Sequence, residues 1–140
     1  MVLALTVTAL AQEGPDERRC TGQWRASNEE RINSCTALLD SGRYQPANLA
    51  ILHHNRGAAR RAKGDIAAAI SDFSEAIKLN PEYGRAYADR GSARLMQHDL
   101  DGAIADLDTA IGLDPYDAGA FMTRGNAFDE KADLDRAIAD

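Results

Sequence analysis

The chain has 140 residues, the length of about one domain on the usual prior of roughly 100–200 residues each. Hydrophobic residues make up 44% and charged residues 27%, ordinary globular values that argue against disorder as the default reading. Alanine occurs 26 times while valine occurs only at Val2 and Val7, which argues against a buried sheet and for packed helices; the net charge of −6 provides no general attraction to nucleic acid or anionic lipid.

Residues 1–11 (MVLALTVTALA) form an apolar run ending in Ala9-Leu10-Ala11, a small-x-small cleavage pattern just before polar residues. The run is far shorter than the roughly 20 residues a membrane span needs. No basic residue precedes it. It reads as a signal peptide lacking its first few residues, which implies export, with the bacterial periplasm as the expected compartment. The alternative is a short apolar helix packed on a cytoplasmic protein.

Residues 12–26 are read as a polar lead-in segment and 27–46 as a helical cap with its loop. Ser27-Asn28-Glu29-Glu30 is a capping-box start, Gly42 suits the residue just past a helix end, and Ile32, Cys35, Leu38 and Leu39 fall at helical spacing between them. Cys20 and Cys35 are 15 residues apart and, with three histidines, offer no zinc site of ordinary spacing. In an exported protein they would form one disulfide tying the lead-in to the cap. In the cytoplasmic alternative Cys35 is merely buried and Cys20 exposed.

From residue 47 onward the chain repeats. Asn55–Ala88 aligns with Asp89–Met122 at 13 of 34 positions without a gap, and Thr123–Asp140 matches Asp89–Asp106 at 10 of 18. Each unit divides into two helices. Asp65, Asp99 and Asp133 stand at helix starts; Ile66, Ala69, Ile70, Phe73, Ala76 and Ile77 then fall on one helical stripe. Pro81 and Pro115 close the second helices, since proline cannot continue the hydrogen-bond ladder. The repeats are bounded as 50–83, 84–117 and a partial 118–140.

This pattern resembles the tetratricopeptide repeat. Gly57, Gly91 and Gly125 match the small residue of the first helix (A), Ala69, Ala103 and Ala137 that of the second (B), and Ala76, Ala110, Pro81 and Pro115 the later signature positions. The resemblance implies an all-α, right-handed solenoid of antiparallel helix pairs, C-terminally truncated because Asp140 falls inside the third helix B. Arg60 and Arg94 depart from it, standing where the family prefers tyrosine, and His53 holds an aromatic position. The turn glycine is Gly64 in the first repeat but His98 and Ala132 in the later ones. Together with the cysteine-bearing cap, the repeats are similar to exported bacterial tetratricopeptide proteins.

No catalytic constellation emerges, so neither enzymatic activity nor a cofactor or metal is expected. His53 and His54 are helix neighbours pointing about 100° apart, which prevents a shared metal. Arg56, Arg90 and Arg124 recur with Asp72, Asp106 and Asp140, always 16 residues later. Either they tie helices A and B together, or the arginines form a ladder for an acidic ligand. The cluster Arg56, Arg60, Arg61 and Lys63 lacks interleaved aromatics, so no nucleic-acid partner is expected.

The resemblance implies a peptide or protein ligand in the concave groove of the A helices. Its positions fall on His54, Asn55, Ala58 and Arg61; on Arg85, Ala88, Asp89, Ser92, Leu95 and Met96; and on Met122, Thr123, Asn126, Asp129 and Glu130. One family subgroup grips chaperone C-termini with Lys, Asn and Arg. Those positions here hold His54, Ala58, Asp89, Gly119 and Thr123, so that clamp is not expected. Leu95, Met96 and Met122 form either an apolar groove centre or inter-helix core. Arg61 and Arg85 predict a ligand acidic toward the first repeat, Asp129 and Glu130 one basic toward the third. A rival reading makes the repeats the N-terminal targeting domain of a longer enzyme.

Overall fold

The computed structural model describes residues 14–139, with only the backbone of Asp133 and of residues 136–139. The expected signal peptide and Asp140 lie outside the described residues. Seven helices and no strands are found among them: α1 Pro15–Cys20, α2 Asn28–Asp40, α3 Pro46–Lys63, α4 Ile66–Leu79, α5 Gly84–Met96, α6 Leu100–Leu113 and α7 Ala118–Ala139. Each helix packs on the next, and α5 also touches α3 and α7. This is the all-α solenoid of helix pairs that the sequence pattern implies.

The lead-in segment contains a helix that periodicity did not reveal. Pro15 starts α1, Asp16 and Glu17 occupy its positive end and Arg18 and Arg19 its negative end. A single turn and a half is too short to display a hydrophobic period. What holds it is tertiary: a Cys20–Cys35 disulfide, a Ser34 hydroxyl donating to Asp16 at 2.8 Å, and Tyr44 donating to Glu17 at 2.6 Å. The Tyr44 bond and the Arg43 charge keep the Glu17 carboxyl below its usual range. Both cysteines are fully buried with Leu38 and Leu52. At the start of α2, Ser27 and Glu30 make the reciprocal capping box, and Gly42 lies just beyond its end with φ 66°.

Close approach within each pair depends on glycine. A Cβ on Gly57 would sit 2.8 Å from the Phe73 ring, and one on Gly91 would sit 2.8 Å from Leu107. Ala69, Ala76, Ala103 and Ala110 are buried, and the Ala103 carbonyl lies against Gly91. The recurrent arginines link helices and repeats. Arg56 grips both oxygens of Asp72 and reaches Thr36 of α2; Arg90 grips both oxygens of Asp106 and reaches Ser74 of α4. Arg60 and Arg94 add a second guanidinium to the same aspartates, at 2.8 and 2.9 Å, and His53 lies 3.4 Å from Asp72. Burial alone would raise the Asp72 carboxyl, but His53 and the two arginines bring it below its usual range. The Arg56 and Arg90 pairs are therefore structural clamps. Arg124 reaches back to Asp108, as Arg90 does to Ser74.

Asp65 and Asp99 stand at the starts of α4 and α6 as expected; Asp99 accepts from the Gly102 N–H, while Asp65 holds the position without a side-chain bond. One helix start needs correction. Asp133 starts no helix, because α7 runs unbroken from 118 to 139 instead of breaking into an A and a B helix. The physical difference lies at the turn. Gly64 and His98 take left-handed backbone angles, φ 93° and 59°, whereas Ala132 in the equivalent place continues the right-handed helix. As a result a Cβ on Gly125 would meet nothing within 4 Å among the described residues, and Phe121 and Phe128 are 44% and 50% exposed.

Candidate functional site

The A helices α3 and α5 and the first half of α7 lie in sequence along one side. Between them is a pocket of about 250 Å³. Arg61 comes from α3; Arg85, Ala88, Asp89 and Ser92 from α5; Asp117 from just before α7; Gly119, Ala120, Met122 and Thr123 from its start; and Leu107 of α6 closes it from behind. Positions 85, 88, 89 and 92 share a face because helix neighbours recur every three or four residues.

Of the groove positions expected from sequence, Arg61, Arg85, Ala88, Asp89, Ser92, Met122 and Thr123 are brought together here. His54 is not an open groove residue. It is 4% exposed, packed between the rings of Phe73 and Tyr83 at 5.6 and 5.1 Å, with Nε2 2.7 Å from Asp89. Leu95 is half-buried, Met96 is 60% exposed at the end of α5, and neither lines the pocket; nor do Asn55, Ala58, Asn126 or Asp129. Glu130 turns away to His98 Nδ1 at 2.5 Å. Met122 is 68% exposed, so it is not part of an inter-helix core.

Leu107, Asp117 and Ala120 also line the pocket and were not anticipated. Leu107 belongs to a B helix and enters through the gap left by Gly91, so the glycine was the available signal. Asp117 precedes α7 and accepts the Ala120 N–H at 3.1 Å, an ordinary helix-start role.

The charges divide unequally. Asp89 gives one oxygen to His54 and the other to Arg61, 3.1 Å away. Burial pushes its carboxyl up, but the His54 bond and the Arg61 charge more than offset this and hold it below the usual range. Burial raises the neighbouring Tyr83 phenol. Arg85 has no carboxylate within ion-pair distance among the described residues. The expected charge gradient thus loses Arg61 to Asp89 and Glu130 to His98. Arg85 remains as the available cation of the pocket.

Residues 54–118 match the tetratricopeptide repeat (TPR) family, the same span that builds most of this pocket. These are tetratricopeptide repeats. Most of the helical array is also similar to solved TPR domains. The first TPR domain of human RPAP3 superposes with a TM-score of 0.75 at 26% identity, covering 86% of this chain and 92% of that one. The first TPR domain of Spaghetti (RPAP3), bound to the HSP90 peptide SRMEEVD, gives 0.71 at 27% identity, covering 84% and 86%. The second TPR domain of human RPAP3, in complex with the HSP70 peptide SGPTIEEVD, gives 0.71 at 26%, covering 80% and 91%. No curated protein sequence matches the chain. Among the described residues no helix is long and apolar enough to cross a membrane.

Proposed function

We propose that this TPR chain is a non-enzymatic interaction module that holds a peptide or protein segment in the groove of α3, α5 and α7. The observation that carries the reading is the pocket itself, open to solvent, with an exposed methionine on one wall and, on another, an arginine that makes no direct ion pair among the described residues. Its volume, about 250 Å³, falls below the roughly 300–1,000 Å³ of small-molecule sites and suits one large side chain of a longer ligand. Flexible Met122 can repack around such a side chain.

The ligand differs in kind from the acidic EEVD peptides in the two related complexes. Of the positions that would form a carboxylate clamp, His54 is buried against Asp89, Asp89 is itself anionic, and Ala58, Gly119 and Thr123 carry no charge. A peptide bearing several carboxylates would meet Asp89 and Asp117 with like charge. The Cys20–Cys35 disulfide supports an oxidising, exported setting for this module, since such bonds persist where thiols are not kept reduced.

Panning random peptides on the whole chain tests the reading. Selected peptides should lose binding to a Met122→Asp protein whose melting is close to the parent's. Peptides that bind both proteins equally would place the interaction elsewhere.

A further inference from the structure

We infer that the pocket takes an extended segment in which a single acidic side chain pairs with Arg85 and a large apolar side chain two residues away packs against Met122. The inference rests on the groove reading above and adds the chemistry of the ligand. Four charged side chains line the pocket: Arg61, Arg85, Asp89 and Asp117. Arg61 and Asp89 neutralise each other at 3.1 Å, and His54, buried behind them, fixes the second Asp89 oxygen at 2.7 Å. Asp117 bonds the Ala120 N–H at the positive end of α7, where its own charge is stabilised. Arg85 alone of the four makes no ion pair or hydrogen bond among the described residues; its charge acts on Asp89 and Tyr83 only from a distance.

A ligand carboxylate therefore gains most at Arg85, whose planar guanidinium presents paired donors. A second carboxylate would face Asp89 or Asp117, so the acidic requirement is for one group, not several. The apolar requirement comes from the Met122 side chain, 68% exposed on the pocket wall; Leu107 and Ala120 are buried behind it. Side chains of an extended strand alternate, so two groups reaching the same groove are separated by one residue. The recognised element is acidic-x-apolar, in either chain direction.

The test uses capped octapeptides with a central Glu-Ser-Leu, against Gln-Ser-Leu, Lys-Ser-Leu and Glu-Ser-Ser, read by fluorescence anisotropy on the whole chain. Glu-Ser-Leu should bind about fivefold more tightly than Gln-Ser-Leu, as expected for one partly exposed ion pair, and Lys-Ser-Leu and Glu-Ser-Ser should be weaker still. Arg85→Glu, an exposed change with unchanged melting, should reverse the Glu-over-Lys preference. Equal binding of the Glu and Gln peptides, both lost in Met122→Asp, would overturn the acidic subsite and leave the groove standing. Binding that survives Met122→Asp, or no binding by any of the peptides at about 1 mM, a free energy near −4 kcal/mol, would overturn both.

Discussion

Arg90 holds both oxygens of Asp106, at 2.8 and 2.7 Å, from a position 16 residues earlier in the chain, and its third nitrogen reaches Ser74 in the preceding repeat. One side chain thus joins the two helices of its own repeat and fastens that repeat to its neighbour. Asp106 is only 4% exposed and Arg94 supplies a second guanidinium. Removing the acid would leave Arg90 without a counter-charge in a half-buried site and Arg94 with only the longer pair to Asp99, at 3.6 Å. Asp106→Ala should destabilise the chain by about 3 kcal/mol, whereas Asp108→Ala, an exposed partner of Arg124, should change it by less than about 1 kcal/mol. Urea denaturation of the two variants measures the difference, and similar losses would contradict the clamp.

The acid limb of stability should follow the other clamp. The Asp72 carboxyl is held below its usual value of 3.8 by His53, Arg56 and Arg60 in spite of its burial. A depressed folded value means a contribution fully present above the unfolded pKa and lost as pH falls through the folded one. Asp72→Asn should therefore melt lower than the parent near neutral pH, and the gap should narrow below about pH 4. A gap that stays constant from pH 6 to pH 2.5 would show that Asp72 does not titrate with folding.

Gly91 and Gly125 occupy equivalent places in successive repeats but face different surroundings. An added methyl at Gly91 would meet Leu107 at 2.8 Å and the Ala103 carbonyl at 3.1 Å, while at Gly125 it would meet nothing within 4 Å among the described residues. Alanine favours a helix over glycine by about 1 kcal/mol. At Gly91 this gain is outweighed by overpacking, typically 1–3 kcal/mol. Gly91→Ala should lower the melting temperature and Gly125→Ala should raise it; two shifts of the same sign would contradict the difference in packing.

The helix pairs were legible because glycine, alanine and proline recur at a fixed 34-residue period, and each has a backbone or close-packing reason to be where it is. What the period did not convey was depth and partnership. His54 and Arg61 share a helix face, yet one is buried against Asp89 and the other reaches it from the rim. Arg60 and Arg94 looked like losses of an aromatic contact; their role is visible only once Asp72 and Asp106 are seen to be buried between two arginines. Helix α1 was missed because a disulfide and two polar bonds hold it, none of which leaves a periodic trace.

The Cys20–Cys35 bond should stabilise the N-terminal cap. It closes a loop with a sequence separation of 15, for which chain-entropy reasoning gives about 3 kcal/mol. Both cysteines are 0% exposed, so reductant should act mainly through opening of α1 from α2. Reduction should lower the melting temperature and release hydrogen-exchange protection first in residues 15–40. Unchanged melting after complete reduction, proven by thiol titration, would contradict a stabilising role.

The unbroken course of α7 should be controlled by the residue at 132. Gly64 and His98 turn the chain in left-handed conformations, at φ 93° and 59°, and the equivalent Ala132 does not. A left-handed backbone costs a residue with a Cβ roughly 1–2 kcal/mol, and glycine in a helix interior costs about 1 kcal/mol relative to alanine. Ala132→Gly therefore favours a turn over helix by roughly 2–3 kcal/mol, adding the two effects. In the variant, carbon chemical shifts of residues 131–136 should lose their helical values while those of 118–128 keep them. The reciprocal change, Gly64→Ala, forces the strained conformation on a residue with a side chain and should lower stability by about 1–2 kcal/mol. Helical shifts persisting through 131–136 in Ala132→Gly would mean that the turn is set by packing between helices and not by the residue at its corner.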